Sequence, residues 1–415
     1  MVCVMNARRS DLLLTILILA GMVLGVVLGL GAREVPLLSG VVAGIAWLGV
    51  LFKQLLLLII YPLVLASIFM GMVGLGDVRK TGKMAGKTLM WFMTTTALSV
   101  GLGLLLVNVM EPGVGFQMPG ELAVLPDALV KTTPGEFFLK MLSNTIKNPF
   151  ASLANGDVLG IIAFSLLLGG VASTMGEAAK PLVGFFDALN RALMRLTEAV
   201  MWLAPLGVLA LLSGVVEQQG AETLVAMWRY MCTVLAGLLI HGLIVLPGLA
   251  WLVGGVPPWK LLPALRAPLM IAMTTASSAA TLPVTIDAVQ DNLGVPEEVA
   301  GFVLPLGATL NMDGTALYEA VAVMFIAQAY GLSLDLTTQV TVFITATLAA
   351  VGAAGIPSAG LITMGIVLTA VGLPLEGVGL IIAVDRILDM VRTTVNVAGD
   401  AVGAVVVTRL SDTIS

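Results

Sequence analysis

The stretch LLLTILILAGMVLGVVLGL, Leu12–Leu30, carries no charge and is long enough to cross the hydrocarbon of a bilayer as one helix. Its reading decides the fold. Arg8 and Arg9 precede it and small residues come after, which is also the outline of a secretory signal peptide. The apolar run is too long for the core of such a signal, so it reads as a membrane span. The mean hydropathy of +1.06 and the 59% of hydrophobic residues extend that reading to the whole chain. A chain of this composition is a polytopic membrane protein.

Outward from Leu12–Leu30, apolar stretches and their punctuation give eight spans. They are Leu12–Leu30, Val41–Val73, Leu89–Val109, an interrupted region ending at Val158–Ser173, Leu182–Val215, Leu224–Val253, Val299–Ala329 and Leu380–Val407. Two further apolar segments, Leu261–Val289 and Thr338–Val371, are broken midway by small residues and a proline, as TTASSAATLP and AAVGAAGIP. Small residues let backbones approach closely, and a proline starts a new half-helix while denying the old one a donor. Each segment therefore reads as a re-entrant helical hairpin. Interrupted backbone at membrane depth survives only against protein or a water-filled cavity, and paired interruptions point to the binding site of a secondary transporter. The expected fold is all-α: eight transmembrane helices plus two re-entrant hairpins.

The net charge of −5 says little when most of the chain lies in lipid. Cys3 and Cys232 are too few for a disulfide framework or a metal motif, and the 22 Met residues read as packing filler. His241, the single histidine, sits in a long apolar helix and reads as a packing residue. Loop charges orient the chain. Arg79, Lys80, Lys83 and Lys87 place the connection after the second span in the cytoplasm, and Arg8 and Arg9 lie on the same side. The acidic connection around Glu111–Asp127 is external. Lys260, Arg266 and Arg409 are inside, so the first hairpin enters from the cytoplasm and the second from outside.

Charged residues make up 11% of the chain, yet DRILDMVRTTVNVAGD, Asp385–Asp400, holds three aspartates and two arginines without a proline. At helical spacing Asp385, Asp389, Arg392, Asn396 and Asp400 fall within about 80° of one another. Ionisable groups in a membrane helix cost several kcal/mol each unless they pair or meet a ligand. Asp389 and Arg392 can pair at i,i+3, which leaves Asn396 and Asp400 to be accounted for by a ligand site. The expected facing partner is GATLNMDGTALYEA, Gly307–Ala320, where Asn311, Asp313 and Gly314 unsettle a helix. An unwound turn there would release carbonyl oxygens beside Asp313, an environment suited to a hard cation such as Na⁺. Glu319 is a lone carboxyl among apolar neighbours. Hydrocarbon disfavours a bare carboxylate, which suits a group that loads and releases a proton.

TTASSAATLPVT, LPLGATLNMDGTALYEA, VGAAGIPSAGLITM and DRILDMVRTTVNVAGD together resemble the motifs of the glutamate transporter family, closely over the C-terminal half and weakly upstream through NPFASLANGDVLG and WLAPLGVLALL. The resemblance implies an elevator-type homotrimer. Residues 1–75 (spans one and two) and 115–218 (spans four and five) would form a scaffold. Residues 76–114 (span three) and 219–415 would form a transport domain. It also implies a symporter of acidic amino acids, glutamate or aspartate, with no cofactor and no nucleic-acid partner, embedded in membrane lipid.

By the same resemblance, Arg392 pairs with the substrate's side-chain carboxylate and Asp389 accepts its α-amino group. Ser278, backbone at Ser277 and Asn396 hold the α-carboxylate. Thr315 and Thr393 complete the pocket, under an external lid at Val351–Gly355. One Na⁺ site would use Gly307, Asn311, Asn396 and Asp400. A second would use carbonyls of Thr309, Ala350, Val351 and Ala353 near Met312. A third would use Thr95, Thr96, Asn311 and Asp313, with Phe92 standing where the family usually has Tyr. Family members carry an accessory arginine at the position of Ala276 or of Met390. This chain has neither, and Arg386, one turn before Met390, is the expected substitute. Glu319 marks a proton-coupled variant, and K⁺ counter-transport stays open. The lack of an N-x-S/T sequon and of a long external insertion favours a prokaryotic inner membrane.

Four other readings compete, one of them a pure ion channel, which would show conductance without substrate. In a proton-driven C4-dicarboxylate carrier Asp389 would have no ammonium to meet, and in a neutral amino acid exchanger Arg392 would be left unpaired. An intramembrane aspartyl protease would use a pair such as Asp313 and Asp389, and would leave the hairpins without a role.

Overall fold

A computed structural model describes residues 2–74, 82–116, 146–155, 158–351, 359–374 and 377–412, and its regular structure among these residues is helical. The chain opens with α1 (Val2–Glu34), α2 (Pro36–Gly74) and α3 (Gly82–Met110). Beyond these come α4 (Pro149–Asn155), α5 (Val158–Thr174), α6 (Lys180–Met201) and α7 (Ala204–Gln219). Next, α8 (Ala221–Ile240) runs through a π-helical turn, His241–Val245, into α9 (Leu246–Leu252). The remainder comprises α10 (Pro258–Ala264), α11 (Arg266–Thr275), α12 (Ser278–Leu293), α13 (Glu297–Leu310), α14 (Asp313–Ala329), α15 (Leu336–Val351), α16 (Ala359–Val371) and α17 (Val378–Asp412).

Among the described residues, five helices are long and apolar enough to cross a membrane: α1, α2, α3, α8 with its continuation, and α17. The expected fifth span, Leu182–Val215, is not straight. It bends by 55° between α6 and α7, and the two halves count as a sixth span only when joined. The bend has a local cause. Pro205 lies in the first turn of α7 and has no N–H to give, and the chain before it tightens to short bonds, Trp202 N to Ala199 O (3.3 Å) and Leu203 N to Val200 O (2.9 Å). The two other expected spans correspond to α5, which has 17 residues, and to the α13–α14 pair of 14 and 17 residues.

The first expected hairpin is a helix–turn–helix that doubles back, since Asn292 near the end of α12 donates to the Ala264 carbonyl at the start of the segment (3.4 Å). Its turn falls among the small residues of TTASSAATLP, ahead of the proline. Ala276 takes a left-handed conformation (φ 51°), and Ser277 caps α12 by accepting from the Ala280 N–H (3.2 Å), while Pro283 sits inside that helix. A serine side chain satisfies an orphan N–H of the first turn, so the cap rather than the proline begins the second arm. In the second hairpin α15 packs on α16, and the break expected between them falls in 352–358, outside the described residues. Arg79 and Lys80 are likewise outside them.

α1 lies along α7, and α2 packs on α5, α6 and α7. α14 is surrounded by α3, α8, α15, α16 and α17, and α17 also packs on α11, α12 and α13. The polarity is inverted relative to a water-soluble protein. Val27, Trp47, Leu58 and Leu252 are exposed, whereas Asp313, Glu319 and Arg392 are buried.

Candidate binding site between the last helix and the broken seventh span

The sequence GATLNMDG breaks its helix as expected. Asn311 (φ −106°, ψ 87°) and Met312 (φ −116°, ψ 54°) leave helical geometry, and Asp313 opens α14. A negative side chain at a helix N-terminus is favoured by the dipole and by unpaired N–H groups. One of those, Gly314 N–H, donates to Asn396 Oδ1 of α17 (2.7 Å). The break is thus stitched to the last helix, and two short helices meet where one straight span would have no free backbone.

All five members of the polar stripe on α17 are buried, as is Arg386. Arg392 pairs with Asp389, as i,i+3 spacing allows, and its Nη1 reaches Asp385 Oδ1 at 3.3 Å. Arg386 Nη1 lies 3.9 Å from Asp389 Oδ2. The guanidinium of Arg392 also lies over the Tyr318 ring, 4.4 Å from its centroid. The second hairpin approaches from the other side, for a Cβ on Gly360 would stand 2.4 Å from Arg392 Nη1. Two arginines and two aspartates are therefore held together in a buried site, an arrangement that adds little to stability and more often serves a ligand.

Two oxygen-rich cages flank this cluster. In the first, Asn311 Nδ2 donates to Asp400 Oδ1 (3.0 Å), and a Cβ on Gly307 would come within 2.5 Å of the same oxygen, so only glycine leaves that space. Asn396 lies one turn before Asp400 on α17 and faces the start of α14. Its amide Nδ2 meets Thr315 Oγ1 (3.2 Å) and Met312 Sδ (3.2 Å). In the second cage, Thr96 Oγ1 (2.7 Å) and Thr95 Oγ1 (3.2 Å) donate to Asp313 Oδ1, and Thr95 lies 3.4 Å from Asn311 Oδ1. The donors are hydroxyls, amides, carbonyls and single carboxylates. Among the described residues no group of three His, Cys, Asp or Glu side chains is placed to hold a metal ion. Such a donor set fits a hard monovalent cation better than a transition metal.

The structure also positions the other expected site residues. Ser278 is buried at the first hairpin's turn beside the capping Ser277, and Thr393 is buried on α17. Thr309 bonds to its own helix (Oγ1 to Leu306 O, 3.0 Å), and Ala350 is buried near the end of α15, which touches α13. Val351 ends α15, and Gly355 and Ala353 lie outside the described residues. Glu319 is wholly buried in α14.

Two residues of the site escape the sequence reading. Tyr318 is one, and the only signal for it is its place in the GATLNMDGTALYEA motif. His241 is the other, and here the structure corrects the expectation of a packing role. Its Nε2 lies 3.1 Å from Asp313 Oδ2, both side chains being wholly buried.

A family model described as the sodium:dicarboxylate symporter family matches residues 14–410. An excitatory amino acid transporter of Caenorhabditis elegans is 38% identical over 446 residues, covering 97% of this chain and 88% of that protein. One from Onchocerca volvulus is 38% identical, with 97% and 90% covered. Excitatory amino acid transporter 2 of Mus musculus is 39% identical over 456 residues, with 97% and 79% covered. With a match across nearly its whole length, the chain belongs to the sodium:dicarboxylate symporter family, and is a membrane transporter rather than an enzyme.

Proposed function

We propose that the chain is a secondary active symporter of acidic amino acids, driven by Na⁺ and H⁺. The observation that carries this reading is Arg392, fully buried and ion-paired with Asp389 on the helix that also carries Asn396 and Asp400. An acidic amino acid brings two carboxylates and one ammonium. Its side-chain carboxylate takes Arg392 and its ammonium takes Asp389, so the pair exchanges partners without stranding a buried charge. Arg adds bidentate geometry to a charge-assisted bond. Ser278, backbone at Ser277 and Asn396 receive the α-carboxylate. Thr315 and Thr393 line the remainder, and Val351–Gly355 close it from outside. Arg386 stands in for the accessory arginine of relatives that carry one. The names of the relatives, excitatory amino acid transporters, support the substrate class.

Na⁺ occupies one site at Gly307, Asn311, Asn396 and Asp400, a second at Thr309, Met312, Ala350, Val351 and Ala353, and a third at Thr95, Thr96, Asn311 and Asp313. Glu319 carries the proton. In this reading the transport domain, residues 76–114 and 219–415, moves as an elevator against the scaffold of residues 1–75 and 115–218, in a homotrimer. α1, α2 and α5–α7 pack mainly on one another, which supports the division, while α7 also meets α17 and α2 also meets α16. The membrane is a prokaryotic inner membrane on the sequence features alone, since the relatives named above are animal proteins.

The family's description favours one second reading, a C4-dicarboxylate carrier. Asp389 weighs against it, because succinate offers no ammonium. Counterflow of radiolabelled aspartate in proteoliposomes, under separately imposed Na⁺, H⁺ and K⁺ gradients, tests the proposal. Aspartate uptake that needs Na⁺ and is competed weakly by succinate is the expected result. Succinate uptake matching aspartate, or uptake indifferent to Na⁺, overturns it.

A further inference from the structure

His241 begins the π-helical turn His241–Val245, where the Leu246 N–H reaches back to the His241 carbonyl. A π turn inserts one residue and rotates the rest of the helix about its axis, and such turns concentrate at functional sites. The helix comes close to α17 at this point, since a Cβ on Gly242 would stand 3.1 Å from Val395 Cγ2. The imidazole Nε2 lies 3.1 Å from Asp313 Oδ2. In the reading of this site as a cation site Asp313 is a carboxylate, which only accepts, and that reading assigns the hydrogen to Nε2. The other oxygen of Asp313 is engaged separately by Thr96 (2.7 Å) and Thr95 (3.2 Å). A Cβ on Gly399 would fall 3.1 Å from Oδ2, so α17 walls that oxygen from behind.

We propose that His241 is a positioning residue for the third cation site, its Nε2–H holding Oδ2 of Asp313 so that Oδ1 faces Thr95 and Thr96. This rests on the reading of that site as a Na⁺ site. A carboxylate on a single Cβ–Cγ bond can rotate, and a cage needs its oxygen in one place before the ion arrives. The threonine hydroxyls bond to Oδ1, the oxygen that would face the ion, so they turn about their own bonds as the ion enters. The imidazole bond lies on the far oxygen and persists with or without the ion. Outer partners that orient a ligand in this way commonly change ion affinity by roughly 10- to 100-fold when removed.

The test uses the purified full chain in detergent, without amino acid, and reads the rise in unfolding temperature as NaCl replaces choline chloride at constant ionic strength. His241→Gln places an amide N–H near Nε2 and should keep the Na⁺ half-saturation within a few-fold of wild type. His241→Asn is too short to reach Asp313, and His241→Phe keeps a ring but no donor. Each should raise the half-saturation by about tenfold or more. A folded Asn or Phe variant that titrates like wild type overturns the proposal. So does a Gln variant impaired by tenfold, which keeps the test decisive if the other two do not unfold cooperatively in choline. If wild type gains nothing from Na⁺, or Thr96→Val leaves its response unchanged, the cation-site reading itself falls and the positioning role with it. A wild type that responds through Thr96 beside unaffected His241 variants overturns the positioning role alone.

Discussion

Two helix seams in this chain use the same device for different ends. Along α1, Gly21, Gly25 and Gly29 face α7 at a four-residue spacing, and added Cβ atoms would stand 2.4, 2.9 and 2.6 Å from the carbonyl oxygens of Pro205, Leu209 and Ser213. Along the seam of α13 and α14 with α17, Gly307, Gly314 and Gly399 would meet Asp400 Oδ1, the Arg392 carbonyl and Asn311 Nδ2 at 2.5, 2.5 and 2.7 Å. Small residues at helical spacing let backbones touch where lipid supplies no hydrophobic drive. In the first seam the space is filled by backbone and apolar side chains. In the second it is occupied by carboxylates and amides, and closeness becomes a site. Mutations should separate the two, with the first seam answering in stability and the second in ligand and ion affinity.

The largest expected effect is at Arg392. Arg392→Cys removes the guanidinium that the substrate's second carboxylate and Asp385 share, while Asp389 keeps Arg386 at 3.9 Å. One broken member of a buried pair costs about 3–5 kcal/mol, or roughly two to four powers of ten in affinity. Uptake of aspartate should vanish and small neutral amino acids should become substrates. Unchanged aspartate affinity would remove the second seam's claim to be the site.

Next are the cages. Asp400→Asn and Asp313→Asn each keep shape and lose a charge. Interactions with a charged group contribute about 1.5–3 kcal/mol, so the Na⁺ concentration for half-maximal substrate binding should rise roughly 10- to 100-fold. Wild-type Na⁺ dependence in both variants would reduce the cages to structural hydrogen bonding.

Gly25→Ala probes the other seam. A methyl 2.9 Å from the Leu209 carbonyl forces α1 and α7 apart, and overpacking of this kind costs about 1–3 kcal/mol. The unfolding temperature in detergent should fall while the Na⁺ half-saturation stays within twofold. A change in Na⁺ affinity without loss of stability would erase the contrast between the seams.

Glu319→Gln should have the smallest effect on binding and exchange, since it keeps shape and a hydrogen-bond donor. It cannot titrate, so exchange of acidic amino acid should continue while dependence of net uptake on a proton gradient is lost. Exchange and net uptake in liposomes, each at several external pH values, read this directly. A wild-type pH dependence in the Gln variant would place the proton on another group.

Much of this was legible along the chain. The break at Asn311–Met312 stems from Asn, Asp and Gly inside an apolar run, and the stripe from Asp385 to Asp400 from helical spacing. Both are local properties, written within a few turns. The bend between α6 and α7 was harder, because Pro205 in an otherwise apolar stretch fits a straight start as well as a corner. The first hairpin turns among the small residues of TTASSAATLP as read, but the second arm begins at the Ser277 cap and not at the proline, because a serine side chain that reaches a free N–H starts a helix.

By itself the sequence determined that the chain crosses a membrane, that its charges cluster on one face of the last helix, and that the helix opposite unwinds. Hydropathy and periodicity suffice for those, since each depends on neighbours in the chain. Only the tertiary structure decided what each polar group meets. His241 is 72 residues from Asp313, Thr96 is 217 residues from it, and Tyr318 reaches Arg392 from another helix. Periodicity says which face a residue occupies, but a face has no partner until helices pack. Packing between helices far apart in the chain turned a lone histidine in an apolar helix into a partner of Asp313.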